Sequence, residues 1–398
     1  LSSPKSERVE TVSALSDARQ REETRVVLAL FALLALGNVD SQAVAPLLPE
    51  IARGLATSES WIGRAVSGYA IAAAIAALVA GPLSDRLGRR RFLAGGAMLL
   101  GAGTALSAAA ASFTGFALGR VATGAGAGVL SALSVAAIAD IVPYERRGRS
   151  MGWVATAYTA APVLGVPAAA FVAESIGWRA NYVAFTAAGL LLGLAVEMWF
   201  REAPTAPRAG SRRYLSFFAS RGTALGAISA FFITGSVTAF LLFLGAYLQR
   251  EVGLTLGQAG MVFLWSGIAS LAGAFGAGAV SDRIGKKKVA LAGCVALSLF
   301  VLIVPRVQGL ALYAVLGLAG VAIAARLAPL QSIVTELVPA DSRGAYVALR
   351  NTVSQSGNAA AAAGAAALYP AGFENVCAMA AVFSLAAFVL LLGIEEPG

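Results

Sequence analysis

The stretch GPLSDRLGRRRF at residues 81–92 returns almost letter for letter as GAVSDRIGKKKV at residues 278–289. Each copy reads glycine, then Ser-Asp-Arg, then glycine and three consecutive cations, and each lies between long apolar runs. A second pair keeps the register: DIVPYERRGRS at 140–150 matches ELVPADSRGAY at 336–346, so Asp140 in one half corresponds to Glu336 in the other. Matched pairs half a chain apart predict a duplicated architecture.

Composition narrows what was duplicated. Only 13% of residues are charged against 58% hydrophobic, and glycine numbers 44, a balance that argues against a water-soluble globule. A bilayer core takes about 20 apolar residues per helix. Twelve such runs stand near 26–50, 61–83, 91–111, 113–139, 149–172 and 180–200, then 222–248, 258–280, 288–305, 308–337, 344–368 and 373–393. They are continuously apolar instead of alternating, and rich in Ala, Leu and Gly, which predicts packed helices and not barrel strands. The expected fold class is an all-α polytopic membrane protein with 12 transmembrane helices in two pseudo-symmetric six-helix bundles. Residues 1–25 would form a cytoplasmic N-terminal tail, 26–200 the N-terminal bundle, 201–221 a cytoplasmic linker and 222–393 the C-terminal bundle. Gly124, Gly126 and Gly128 read as close-approach positions between helices, since no strand precedes them to build a phosphate loop.

The net charge of +9 is placed in a pattern. Cations gather after the even-numbered runs: Arg86 and Arg89 to Arg91; Arg146, Arg147 and Arg149; Arg201, Arg208, Arg212, Arg213 and Arg221; Arg283 and Lys286 to Lys288; Arg343. By the positive-inside rule these loops face the cytoplasm, with both termini inside a plasma membrane of bacterial inner-membrane type. Orientation thus explains the basic balance, and no nucleic-acid partner is expected. Residues 1–25 lack the apolar core of a removable signal, so the first run is expected to be a true span. Cys294 and Cys377 sit inside apolar runs as core residues, and histidine is absent. No metal site, cofactor or enzymatic activity is expected, and any proton chemistry falls to carboxylates.

Two six-helix halves, each carrying Gly-x-x-x-Asp-Arg-x-Gly and three cations between its second and third runs, resemble the major facilitator superfamily of secondary transporters over residues 26–393. The resemblance implies that Gly81, Asp85, Arg86, Gly88 and Arg89 form, with Asp140, a conformational latch on the cytoplasmic side. Asp85 would complement the positive N-terminal end of the eleventh helix across the bundles, while Arg89 reaches Asp140 in its own half. By the repeat, Asp282, Arg283, Lys286 and Glu336 would make the mirrored set near the fifth helix.

Ionisable groups at membrane depth point to cavities or partners. Asp40, in GNVDSQAVAPLLPEIA, and Arg120, in LGRVATGAGAG, each lie roughly 10–15 Å below the outer surface at 1.5 Å per residue, so they are placed to pair. These segments resemble the drug:proton antiporter branch, where such residues take part in proton coupling. The fifth run departs from that branch: APVLGVP at 161–167 keeps Pro162 and Gly165 but loses two glycines, and resembles bacterial sugar-efflux permeases instead.

The second half has no counterpart of Asp40; it contributes Arg326 near mid-membrane and Arg350 toward the cytoplasmic mouth. Asn351, Gln355 and Asn358 form a polar stripe on one face of the eleventh run, a face that lines water or ligand. Asn38, Ser41, Gln42, Ser131, Ser134, Tyr158, Thr159, Phe232, Thr238 and Trp265 are further cavity candidates. The expected function is export of a small organic solute by a monomeric secondary transporter, through alternating access and in exchange for protons, with Asp40 as the coupling group. The alternative is uptake or facilitated passage of an organic anion recognised by Arg326 and Arg350.

Overall fold

The computed structural model describes residues 4–142, 147–200, 216–339 and 342–395, and among them every long element is a helix. The first six are α1 (Pro4–Gly54), α2 (Glu59–Leu87), α3 (Arg89–Ala109), α4 (Phe113–Ile141), α5 (Arg147–Ile176) and α6 (Trp178–Trp199). The second six are α7 (Arg221–Arg250), α8 (Leu256–Ile284), α9 (Lys286–Ile303), α10 (Gly309–Glu336), α11 (Arg343–Leu368) and α12 (Phe373–Leu392). All twelve expected runs are helical, and the helical backbone of α1 starts within the expected tail, at Pro4. Most of the expected linker, with Arg201, Arg208, Arg212 and Arg213, lies outside the described residues, as does Arg146.

Helices dominate because hydrocarbon offers backbone amides no partner but their own segment. The outward faces are dressed for that solvent: Phe275 and Leu310 are 82% and 87% exposed. Among the described residues eleven helices are long and apolar enough to cross a membrane. The exception is α11, whose polar stripe lowers its hydropathy; α11 packs against both α7 and α2 and so is partly screened from lipid.

The repeated stretch folds the same way twice. Ser84 Oγ donates to Gly81 O at 2.9 Å, and Ser281 Oγ to Gly278 O at 2.8 Å. Gly88 and Gly285 each form a one-residue corner, with φ of 98° and 105°, between α2 and α3 and between α8 and α9. That backbone region is essentially reserved for glycine, which gives the last glycine of each motif a structural reason beyond any latch. In α4 the glycines expected to pack do so: a Cβ on Gly124 or Gly128 would run into the backbone of α2 at Tyr69 or Ala73, and one on Gly126 into α3.

Three apolar clusters organise the interior. The largest draws on both bundles, from Ala43 to Tyr182 and from Ala239 to Ala381, and lies at the end away from the basic loops. There Gly245 of α7 abuts Ala45 and Pro46 of α1, Gln249 Nε2 donates to Pro46 O at 2.8 Å, Ser67 Oγ to Ala359 O at 2.8 Å, and Arg250 pairs with Glu59 at 2.5 Å. The other two clusters, at the basic-loop end, each belong to one bundle. The apolar core is therefore shared between the bundles at the end away from the basic loops, and divided into one cluster per bundle at the other.

Gly88→Ala and Gly285→Ala should each destabilise the protein by about 1–3 kcal/mol, whereas Gly95→Ala, with open space around its Cβ position, should be neutral. Thermal unfolding in detergent would read the difference.

Candidate functional site

Four helices converge on one buried ion pair. Asp40 of α1 and Arg120 of α4 are each 1% exposed, and Arg120 Nη1 donates to both carboxylate oxygens of Asp40, at 2.8 and 2.9 Å. The guanidinium lies over two aromatic rings, 4.7 Å from the centroid of Tyr69 on α2 and 5.7 Å from that of Tyr182 on α6. In a low-dielectric interior each charge is tolerable because of the other; removing one partner of such a pair costs about 3–5 kcal/mol. The sequence brought Asp40 and Arg120 together by depth alone. It missed both tyrosines, whose one signal was a phenol set in an Ala-rich apolar run.

A polar strip faces this pair's bundle from α11. Asn351 Nδ2 is 3.5 Å from Ser131 Oγ of α4, so the stripe looks across the junction between bundles. Thr238 Oγ1 of α7 donates to Asn358 Oδ1, and Asn358 Nδ2 donates to Gln355 Oε1, both at 2.8 Å. On the first bundle Asn38 is half-buried, its amide donating to Leu34 O at 2.8 Å, while Gln42, Tyr158 and Thr159 are exposed. Other candidates are engaged in packing. Trp265 stays exposed but its indole N–H donates to Tyr313 O at 2.9 Å, bracing α8 against α10. Phe232 stacks edge-on with Phe231 and Phe383, and Ser134 is buried.

The two arginines of the second bundle, expected as anion-recognising groups, are each buried and held by neutral oxygens. Arg326 is 0% exposed, and its guanidinium donates to Ile233 O at 3.0 Å, Ser236 Oγ at 2.8 Å and Ser384 Oγ at 3.3 Å. Neutral oxygens thus supply the compensation, and in this conformation the side chain is sealed from the space between bundles. Ser384 in turn donates to Cys294 O at 2.8 Å, extending the network into α9. Arg350 is also buried, with Nε on Gly226 O at 3.1 Å and Nη1 on Gln331 Oε1 at 2.8 Å.

At the basic-loop end, Arg89 is buried between two carboxylates, 3.0 Å from Asp85 and 2.9 Å from Asp140. Lys286 and Glu336 repeat the second contact at 3.4 Å in the other half. Arg86, Asp282 and Arg283 are exposed. Among the described residues no hydrogen bond joins Asp85 to α11; its carboxylate is turned to Arg89 within its own bundle.

The profile of the Major Facilitator Superfamily matches residues 30–223 and 226–398. The uncharacterized MFS-type transporter YceJ of Bacillus subtilis (strain 168) is 27% identical over 375 residues, 92% of this chain and 96% of that protein. The multidrug resistance protein MdtL of Klebsiella pneumoniae (strain 342) is 29% identical over 266 residues, 63% of this chain and 65% of its own length. The crystal structure of a D-xylose-proton symporter superposes with a TM-score of 0.78 at 18% identity, over 94% of this chain and 98% of that one, a likeness of fold.

Because a hydroxyl holds Arg326 Nη2 at 2.8 Å, Ser236→Ala should cost about 1.5–3 kcal/mol of stability, visible as a lower unfolding temperature. Ser236→Thr, which keeps the oxygen, should recover most of it.

Proposed function

The chain belongs to the Major Facilitator Superfamily of membrane transporters, which work by alternating access, and we propose that it exports a small organic solute in exchange for protons. The observation that carries this reading is the Asp40–Arg120 pair: among the described residues the second bundle holds its buried Arg326 with neutral oxygens and offers no equivalent carboxylate. One bundle then contains the titrating group and the other supplies the carboxamide strip of α11. The likeness to a multidrug resistance protein supports the outward direction.

By the positive-inside rule the end bearing Arg89 and Lys286 faces the cytoplasm of a bacterial cell, so the apolar block shared by the bundles closes the outer side, and we read the arrangement as inward-facing. In that state Asp40 is held by Arg120. Solute enters from the cytoplasm and binds against Asn351, Gln355 and Asn358. Rocking of the bundles exposes the site to the outside, where solute leaves and Asp40 takes a proton; the return stroke delivers that proton inward and restores the ion pair. Only a group that exchanges its proton at different faces in the two states couples the gradients.

The basic-loop clusters fit the same cycle. In this arrangement Asp85 is paired with Arg89; when the cytoplasmic side is shut, we infer that the carboxylate turns to the N-terminus of α11, whose unpaired amides favour an anion.

Asp40→Asn keeps an oxygen for Arg120 but cannot carry the proton. In proteoliposomes, with a ligand chosen by thermal-shift screening, it should abolish pH-gradient-driven transport while ligand-induced stabilisation persists. Undiminished gradient-driven transport would remove Asp40 from the mechanism. Asp85→Asn should forfeit a charge-to-dipole contribution of about 0.3–2 kcal/mol and shift the population toward inward-open. Spin labels on the basic-loop ends of α4 and α10 would report longer inter-bundle distances, and an unchanged distribution would eliminate the latch.

A further inference from the structure

Arg120 is bound to Asp40 through a single nitrogen. Nη1 serves both carboxylate oxygens, while Nε has no hydrogen-bond partner among the described residues. The rest of the cation faces the rings of Tyr69 and Tyr182, which are 5% and 1% exposed. Both rings are set from outside the pair. Tyr69 has its backbone seated against Gly124 of α4. Tyr182 meets Phe116 and Trp178 edge-on, with centroids 5.8 Å away in each case.

We propose that Tyr69 and Tyr182 are positioning residues of the coupling site, an aromatic clamp that holds the Arg120 cation while Asp40 is protonated. The inference rests on the proton-coupling reading given above. A proton on Asp40 leaves Arg120 a buried cation without a counter-charge. Among the described residues, the titratable groups around the pair are Tyr69 of α2, Tyr158 of α5 and Tyr182 of α6, and no second carboxylate faces it. The negative face of an aromatic ring attracts a cation to about 6 Å, most strongly where water is excluded. At 5.7 Å Tyr182 stands close to that limit, so a guanidinium released from the carboxylate gains by moving onto it. The clamp therefore favours the protonated form of Asp40 relative to a site walled by aliphatic side chains. It gives the proton a place to sit without any other group ionising.

Ring electronics separate this role from mere packing. Tyr182→Phe keeps the ring face; phenylalanines with increasing ring fluorination at the same position keep the shape while draining the negative charge from that face. The probe is the proton alone. The infrared carbonyl band of the protonated Asp40 carboxyl, identified as the band lost in Asp40→Asn, is followed against pH in purified, substrate-free protein. Tyr182→Phe should leave the midpoint nearly in place, and progressive fluorination should move it stepwise to lower pH, by roughly one unit in total. A band that titrates but ignores fluorination overturns the clamp and leaves the coupling reading standing. If no pH-dependent carboxyl band is lost in Asp40→Asn, the coupling reading falls and the clamp falls with it.

Discussion

The block of apolar contacts shared by the two bundles is what gives this molecule a direction. Residues of α1, α2, α5, α7, α8 and α11 interlock in it at the end away from the basic loops. At the opposite end each bundle closes on its own cluster. Because packed cores are bistable and not continuously deformable, a junction of this kind is either made or broken as a unit. The polar ties across it, from Ser67 to Ala359 and from Gln249 to Pro46, run from a side chain to a backbone carbonyl and fix where the helices meet. Their net worth is modest, about 1 kcal/mol each, so the apolar contacts carry most of the closure.

Two buried arginines show how differently one charge is accommodated in the two halves. Arg120 has a carboxylate and two ring faces; Arg326 has a carbonyl and two hydroxyls. A carboxylate can gain or lose a proton, and its partner's environment then changes by a full charge. Hydroxyls and carbonyls offer no such change near neutral pH, and a guanidinium among them stays as it is. The duplicated architecture has thus diverged into a half with a titratable interior and a half with a fixed one.

Much of this was legible in the sequence because lipid leaves the backbone few choices. Apolar runs of the right length became α1 to α12, and the repeated GPLSDRLG and GAVSDRIG became matching corners with matching serine bonds. The Asp40–Arg120 pairing followed from depth. What stayed hidden were partners of no distinctive type. Tyr69 and Tyr182 look like core aromatics until the cation above them is seen, and Ser236 and Ser384 look like helix-packing serines until Arg326 reaches them. Arg326 and Arg350 read as substrate anchors because charge at membrane depth is rare; which oxygens surround such a group depends on contacts between segments far apart in the chain. Trp265 likewise read as a cavity residue, whereas its N–H is bonded to α10.

The polarity of α11 reaches beyond transport to how the chain enters the bilayer. A segment holding Arg350, Asn351, Gln355 and Asn358 is a poor substrate for insertion by itself, since each of these polar groups must leave water as the helix enters the bilayer. Its polar groups find partners on α7, where Gly226 O accepts from Arg350 and Thr238 Oγ1 donates to Asn358, and α7 is made before α11. A single turn, Tyr369–Ala371, then joins α11 to the strongly apolar α12. An α7 already in the bilayer and the apolar α12 behind it thus offer α11 the polar partners and the apolar company that its own sequence lacks.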